Sequence, residues 1–283
     1  MDATTPAPTS SRLHAENITI GYDKRAISND LTVAIPDGSF TVIIGPNACG
    51  KSTLLRGLSS LLKPSTGHVV LDGAGITSYK TKEVARRLGL LPQTSLAPDG
   101  ITVADLVARG RYPHQKLLKQ WTKADEEAVA EAMRATNTTD LSTRLVDELS
   151  GGQRQRVWVA MSLAQETPLL LLDEPTTFLD IAHQIELLEL FTELNTQGRT
   201  LVAVLHDLNH AARYGTHLIA MKDGAVVAEG APREIITSQL VEHVFGLPNV
   251  IIEDPVTGAP LVVPLGRSMA PVDASRESVV VNG

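Results

Sequence analysis

The run SFTVIIGPNACGKST, residues 39–53, limits the fold of this chain more than any other feature, because an apolar strand enters a glycine-rich turn that opens directly into a helix. Gly45, Gly50, Lys51 and Ser52 stand at GxxxxGK[ST] spacing, the pattern of a loop whose backbone amides point inward toward phosphate oxygens. Glycine is required at 45 and 50 because the loop bends tightly and the oxygens approach its backbone closely. Pro46, Asn47, Ala48 and Cys49 complete the turn, and Thr53 follows the loop serine. Lys51 offers charge to terminal phosphates, Ser52 offers a hydroxyl to Mg²⁺, and the new helix directs the positive end of its dipole at the anion.

Around this loop the chain alternates strands and helices. Apolar strands are expected near 39–44, 68–71, 87–91, 169–173, 200–205 and 217–221, with helices near 51–62, 152–165, 181–195 and 207–214. Strands that are apolar almost throughout need a sheet covered on both faces, which is α/β architecture. Asp223-Gly224, between two apolar runs, reads as a tight hairpin turn. Residues from 94 to about 150 break the alternation with helical patterns near 102–109 and 123–136. They read as an inserted helical subdomain, which with the helix that follows spans about 94–165. Residues 1–12 and the SMAPVDASRESVVVNG end show no apolar periodicity, so the expected division is a flexible tail over 1–12, a folded domain over 13–250 and a C-terminal extension over 251–283.

Composition removes several classes of function. Of the 283 residues, 43% are hydrophobic and 20% charged, which is globular usage and excludes wholesale disorder. Twenty-five basic against 32 acidic residues leave a net charge of −7, unfavourable for coating nucleic acid. Cys49 is the single cysteine and cannot form an internal disulfide, and the first residues carry no signal-peptide pattern, so a reducing, cytosolic setting is expected. No apolar run approaches the roughly 18 residues of a membrane helix.

Two further segments carry chemistry. In PLLLLDEP a buried strand delivers Asp173 and Glu174 to its carboxyl end, where ligands gather in α/β sheets. Asp173 is placed to hold Mg²⁺ through water, and Glu174 to polarise a water attacking a γ-phosphate. In LSGGQ, Ser150 reads as the N-cap of a helix, with Gly151, Gly152 and Gln153 leaving bare amides at its positive end. A phosphate already cradled by the first loop needs no second cradle from the same chain, so this one reads either as serving a nucleotide held by a partner molecule or as an ordinary capped helix with a flexible entry.

GPNACGKST, LSGGQRQR and LLLLDEP together resemble the ATP-binding subunit of an ABC transporter over about residues 13–250. The resemblance implies a P-loop NTPase core of ABC type with an inserted helical subdomain and an antiparallel β portion. It implies an ATPase that uses ATP and Mg²⁺. Tyr22, after the first strand, resembles the aromatic that stacks on adenine, and Gln93 the glutamine that contacts Mg²⁺ or the attacking water. Leu179 and Asp180 resemble the segment that crosses between subunits, and His206 the histidine that contacts the γ-phosphate. The mechanism implied is a head-to-tail homodimer in which ATP on Lys51 of one copy is covered by Ser150 and Gly152 of the other. Hydrolysis opens the pair and the helical subdomain moves membrane partners.

TVADLVARGRYPHQ, LPQTSLAPDG and EPTTFLDIAHQIELLEL are similar to the ATPases of iron-siderophore importers, with cobalamin and haem importers as the alternative. Implied partners are permease subunits, through them an extracytoplasmic siderophore-binding protein, and a second copy of the chain, without nucleic acid. The implied location is peripheral, on the cytoplasmic face of the cell membrane. Soluble ABC-type ATPases of DNA repair or translation form a different class; the former carry coiled coils where this chain has no heptads, and the latter join two cassettes. HDLNH, residues 206–210, superficially resembles a zinc motif, but Asp207 stands where glutamate is required and no third ligand is evident. The basic side chains of 107–123, Arg109, Arg111, Lys116, Lys119 and Lys123, read as a solvated face or as contacts to a permease or anionic lipid.

Overall fold

The apolar runs become strands with no wet face. β3 (Phe40–Ile44), β7 (Leu169–Asp173) and β8 (Thr200–Val204) are buried at every residue. The computed structural model describes residues 11–23, 25–93, 97–115 and 121–266; the expected loose ends fall largely outside these, as do Lys116 and Lys119. Earlier in the chain lie β1 (Leu13–Tyr22) and β2 (Arg25–Ile35), then α1 (Lys51–Leu58), β4 (Thr66–Leu71), β5 (Ala74–Gly75), α2 (Thr81–Ala85) and β6 (Leu88–Leu91). The helical region holds α3 (Val103–Ala108), a 3₁₀ turn over Arg109–His114, α4 (Lys123–Ala135) and α5 (Gly151–Ala164). After β7 come α6 (Ile181–Thr196), α7 (Leu208–Tyr214), β9 (His217–Lys222), β10 (Ala225–Gly230), α8 (Pro232–Ile235), α9 (Ser238–Phe245), β11 (Asn249–Glu253) and β12 (Pro260–Pro264).

Among the described residues, the central sheet has the order β10-β9-β3-β8-β7-β6. β9, β3, β8, β7 and β6 run parallel, and β10 returns antiparallel through Asp223-Gly224. Alternation along each strand assigns residues to the two faces. Val42, Leu170, Leu172, Leu201 and Ala203 join one apolar cluster with α3, α5, α6 and α7, where Phe191 meets Phe40 edge-on at 6.3 Å. Ile43, Leu169, Leu171, Val202 and Val204 join the other with α1 and the antiparallel sheet β2-β1-β4-β5. The parallel sheet is therefore covered on both sides, as its composition demanded.

Departures from the sequence reading have local causes. α1 stops at Leu58 instead of 62, because Ser60 takes φ 64, a left-handed conformation that ends the helix. β2 was not anticipated: its exposed residues are polar apart from Ala26, and its register with β1 shifts repeatedly, which blurs strict alternation. The β11–β12 hairpin straddles the expected boundary at 250 and seats Val262, 4% exposed, in the apolar cluster that covers α7.

Arg111 corrects the reading of the basic stretch as a solvated or docking face. It is 5% exposed, and donates from Nε to Asp125 Oδ1 at 2.9 Å and from Nη1 to the Ala164 carbonyl at 2.8 Å and Glu166 Oε2 at 2.6 Å. This guanidinium ties the 3₁₀ turn to α4 and to the end of α5. Arg109 and Lys123 are exposed, Lys123 pairing with Glu127 at 3.3 Å.

Candidate active site

The glycine-rich loop leaves β3 at Ile44 and becomes α1 at Lys51. Gly50 precedes the helix at φ 105, a conformation that a side chain strains to adopt. A Cβ on Gly45 would fall 2.3 Å from the Met221 carbonyl oxygen on β9, so that position has no room for a side chain. Lys51 is 5% exposed, and its Nζ donates to the carbonyls of Gly45 at 2.8 Å and Pro46 at 2.9 Å, bracing the loop across its mouth.

Asn47, Ala48, Gly50, Lys51, Ser52 and Thr53 line a cleft of about 480 Å³, and Gln93, Glu174 and His206 enter it from beyond the ends of β6, β7 and β8. These three parallel strands finish on the same edge, which carries residues distant in sequence to one opening. Cys49 does not face the cleft: its thiol is 4% exposed within the cluster containing Ile43, Leu54 and Met221, and burial pushes it above the usual thiol range. Its side chain is therefore a packing element, which leaves only its backbone to face a phosphate.

Asp173, 1% exposed, accepts a hydrogen bond from Ser52 Oγ at 2.8 Å through Oδ1, while Oδ2 has no partner among the described residues. Burial raises its carboxyl above the ordinary range, and the charge of Glu174 adds to this against the opposing Ser52 bond. Glu174 adopts φ 54, a strained conformation for a residue with a side chain. Its Oε1 lies 2.7 Å from His206 Nε2, and its Oε2 accepts from Thr177 Oγ1 at 3.4 Å. A carboxylate and an imidazole in hydrogen-bond contact at a phosphate-sized opening can hold and pass a proton.

Ser150 forms a reciprocal cap at the start of α5: its Oγ accepts from Gln153 N–H at 3.3 Å, and its own N–H donates to Gln153 Oε1 at 3.1 Å. Neither these residues nor Gly151 and Gly152 line the cleft. The glycines instead pack beside the loop after Glu174, where Cβ atoms on them would lie 3.4 Å from Phe178 Cβ and 3.3 Å from Leu179 Cδ2. Asp180 caps α6 by accepting from His183 N–H at 3.0 Å and meets its Nδ1 at 2.7 Å; these bonds hold its carboxyl below the usual range. Phe178 is 77% and Ile181 75% exposed on this same edge.

A family profile described as ABC transporter matches residues 28–177. The chain belongs to the ABC transporter family. Against the ferric enterobactin transport ATP-binding protein of Escherichia coli (strain K12), this ABC subunit is 62% identical over 259 residues, covering 91% of the chain and 96% of the relative. A probable siderophore transport system ATP-binding protein of Bacillus subtilis (strain 168) is 54% identical over 258 residues, 91% and 94% of the two chains. Among solved structures, an inward-facing putative metal-chelate type ABC transporter superposes with TM-score 0.76 at 29% identity, over 91% of this chain and 98% of that one. A dimeric bacterial ABC transporter cassette superposes with TM-score 0.69 at 27% identity, over 77% and 98%. The ABC subunit is an ATPase that works with a permease, and no helix among its described residues is long and apolar enough to cross a membrane.

The fold adds residues that the ABC motifs leave unmarked. Ile27, on the unanticipated β2, forms a wall of the cleft. Arg56 Nη1 donates to Tyr22 Oη at 3.0 Å, orienting a ring that ends β1 and stays half-exposed outside the cleft lining. Gln155 Nε2 donates to the Pro175 carbonyl at 3.0 Å and Gln184 Nε2 to the Leu179 carbonyl at 3.0 Å, pinning both ends of the loop that follows Glu174. Gln155 lies within LSGGQRQR; Arg56 and Gln184 give no signal in sequence, since a charged or amide side chain on a helix is ordinarily solvated.

Proposed function

We infer that two copies of this chain power the uptake of ferric siderophores across the cell membrane, bound at its cytoplasmic face through permease subunits that receive cargo from an extracytoplasmic binding protein. The observation that carries the ATPase chemistry is the convergence of Lys51, Ser52, Gln93, Glu174 and His206 on one cleft from separate elements. The siderophore cargo is supported by the ferric enterobactin and siderophore transport named for the relatives above.

In this reading the loop amides and Lys51 hold the β- and γ-phosphates, Thr53 lies beside them, and the Tyr22 ring stacks on adenine. Glu174 accepts the proton of the attacking water, His206 steadies that carboxylate and the γ-phosphate, and Gln93 orients the water. Mg²⁺ fits the Ser52–Asp173 pair, because the buried Asp173 Oδ2, beside the Ser52 hydroxyl, has no partner among the described residues. When bound it withdraws charge from the phosphate oxygens.

The partner copy supplies Ser150, Gly151, Gly152 and Gln153: the Ser150 and Gln153 N–H groups close the reciprocal cap, and the Gly151 and Gly152 amides between them meet a γ-phosphate at the head of α5. Leu179 and Asp180 lie at the same seam. Phe178 and Ile181, large apolar groups in water, supply the burial that a second copy would gain. A further cleft of about 740 Å³ runs between α2, β6 and α5, walled by Leu61, Tyr79, Val84, Trp158 and Met161, and receives a permease segment. Pro92 lines this cleft while Gln93 lines the nucleotide cleft, so adjacent residues join the two sites. Residues 13–250 form the ATPase domain, with its helical subdomain over about 94–165, the tail over 1–12 and the extension over 251–283.

Expression with the permease genes encoded beside it tests the cargo. Uptake of ferric siderophore that requires this chain is the expected result. Uptake of cobalamin or haem in its place overturns the cargo while leaving the ATPase reading intact.

A further inference from the structure

The β11–β12 hairpin belongs to no motif of the nucleotide cleft, yet it grips the helix that follows His206. Asn209, on the first turn of α7, donates from Nδ2 to the Val262 carbonyl at 3.3 Å and accepts from Val262 N–H through Oδ1 at 2.7 Å. One side-chain amide thus satisfies both backbone groups of a single β12 residue, as a neighbouring strand would. Val262 is buried, and Arg213 near the end of α7 faces Asp254 of the hairpin at 4.0 Å.

The same turn sets the reach of His206. β8 is buried throughout and ends at Val204; Asp207 Oδ1 then accepts from the N–H groups of Asn209 and His210 at 2.8 and 2.9 Å, and His206 lies between the strand and this cap. Its side chain is 48% exposed, and its Nε2 meets Glu174 Oε1 at 2.7 Å. A seven-residue helix is too short to hold its own direction in water. The Asn209–Val262 pair supplies that direction from outside the ATPase motifs.

We propose that Asn209 is a positioning residue for hydrolysis: by clamping Val262 of the C-terminal hairpin it fixes the first turn of α7 and holds the His206 imidazole against Glu174. The proposal rests on the ATPase reading above. Displacing a reacting group by an ångström or less costs rate far more than affinity. N209A therefore lowers kcat about tenfold while the Kd for a non-hydrolysable ATP analogue stays within about twofold. N209D keeps the acceptor for Val262 N–H and loses the donor, and recovers part of the rate. Both are measured on the full chain after circular dichroism and thermal melting have established the folded fraction, so lost fold is not counted as lost rate.

An N209A protein with kcat within about twofold of wild type overturns the proposal, as does one whose analogue affinity falls as much as its rate. Should N209A not fold, N209D with unchanged kcat overturns it equally. Failure of the underlying ATPase reading looks different, since the unsubstituted chain would then hydrolyse no ATP.

Discussion

His206 Nε2 lies 2.7 Å from Glu174 Oε1, a contact made across the ends of two adjacent parallel strands, β7 and β8. Glu174 reaches it from a left-handed backbone, so its carboxylate is held by its loop and by the imidazole together.

Replacing Glu174 by Gln removes the proton acceptor and keeps the shape. Hydrolysis is expected to fall by at least about 10²-fold, with ATP binding retained and an ATP-bound dimer accumulating. Phosphate release and size-exclusion chromatography with ATP check this, and undiminished turnover would refute the role given to Glu174.

Ser150 has two separable duties, capping α5 and meeting a nucleotide from a second copy. Ser150→Asp keeps an oxygen that can accept the Gln153 N–H while setting a negative charge where a phosphate would approach. Its stability is expected to match wild type within about 1 kcal/mol, while ATPase activity falls by about 10²-fold or more. Full ATPase activity in this variant would remove the shared-site picture.

The Arg111–Asp125 pair is buried, so removing the cation strands a carboxylate. Arg111→Ala is expected to cost about 3–5 kcal/mol in chemical denaturation. Bonds from Thr122, with those from Arg111, hold the Asp125 carboxyl at about 2 against its ordinary 3.8. A depressed folded-state value means that this stabilisation is complete above the ordinary value and is lost as pH falls toward 2. Stability of Asp125→Asn measured through that interval should vary less with pH than that of wild type. An identical slope would show that Asp125 is not among the groups driving acid unfolding.

Cys49 is buried with its thiol raised, so the thiolate needed for alkylation is scarce at neutral pH. Maleimide labelling of the native chain is expected to proceed only through opening of the fold, and to speed up in denaturant. ATP should slow it by stabilising the folded chain. Rapid labelling of fully folded protein at neutral pH would place the thiol at the surface instead.

The central sheet was legible because β3, β7 and β8 are continuous apolar runs, a pattern compatible with little besides burial on both faces. β2 and the β11–β12 hairpin were not, since polar residues interrupt the alternation of β2 and the hairpin strands are short, largely exposed and free of strict alternation. The residue types and spacing of Lys51, Ser52 and Glu174, which line the cleft, and of Asp173 behind Ser52, pointed to ATPase chemistry. The inward turn of Cys49 was hidden, because periodicity does not say which way a side chain leaves an irregular loop. Arg111 misled for a related reason: charge on a polar stretch reads as solvated until its partners, which come from α4 and the end of α5, are brought beside it.

The crowding at Gly45 has a consequence for how this chain can diverge. With the Met221 carbonyl 2.3 Å from any added carbon, variation there is closed unless β9 itself retreats, whereas Pro46, Asn47 and Ala48 already carry side chains. Random libraries across the turn should therefore return survivors with novelty in its middle and a hydrogen atom, never a methyl, at its entrance.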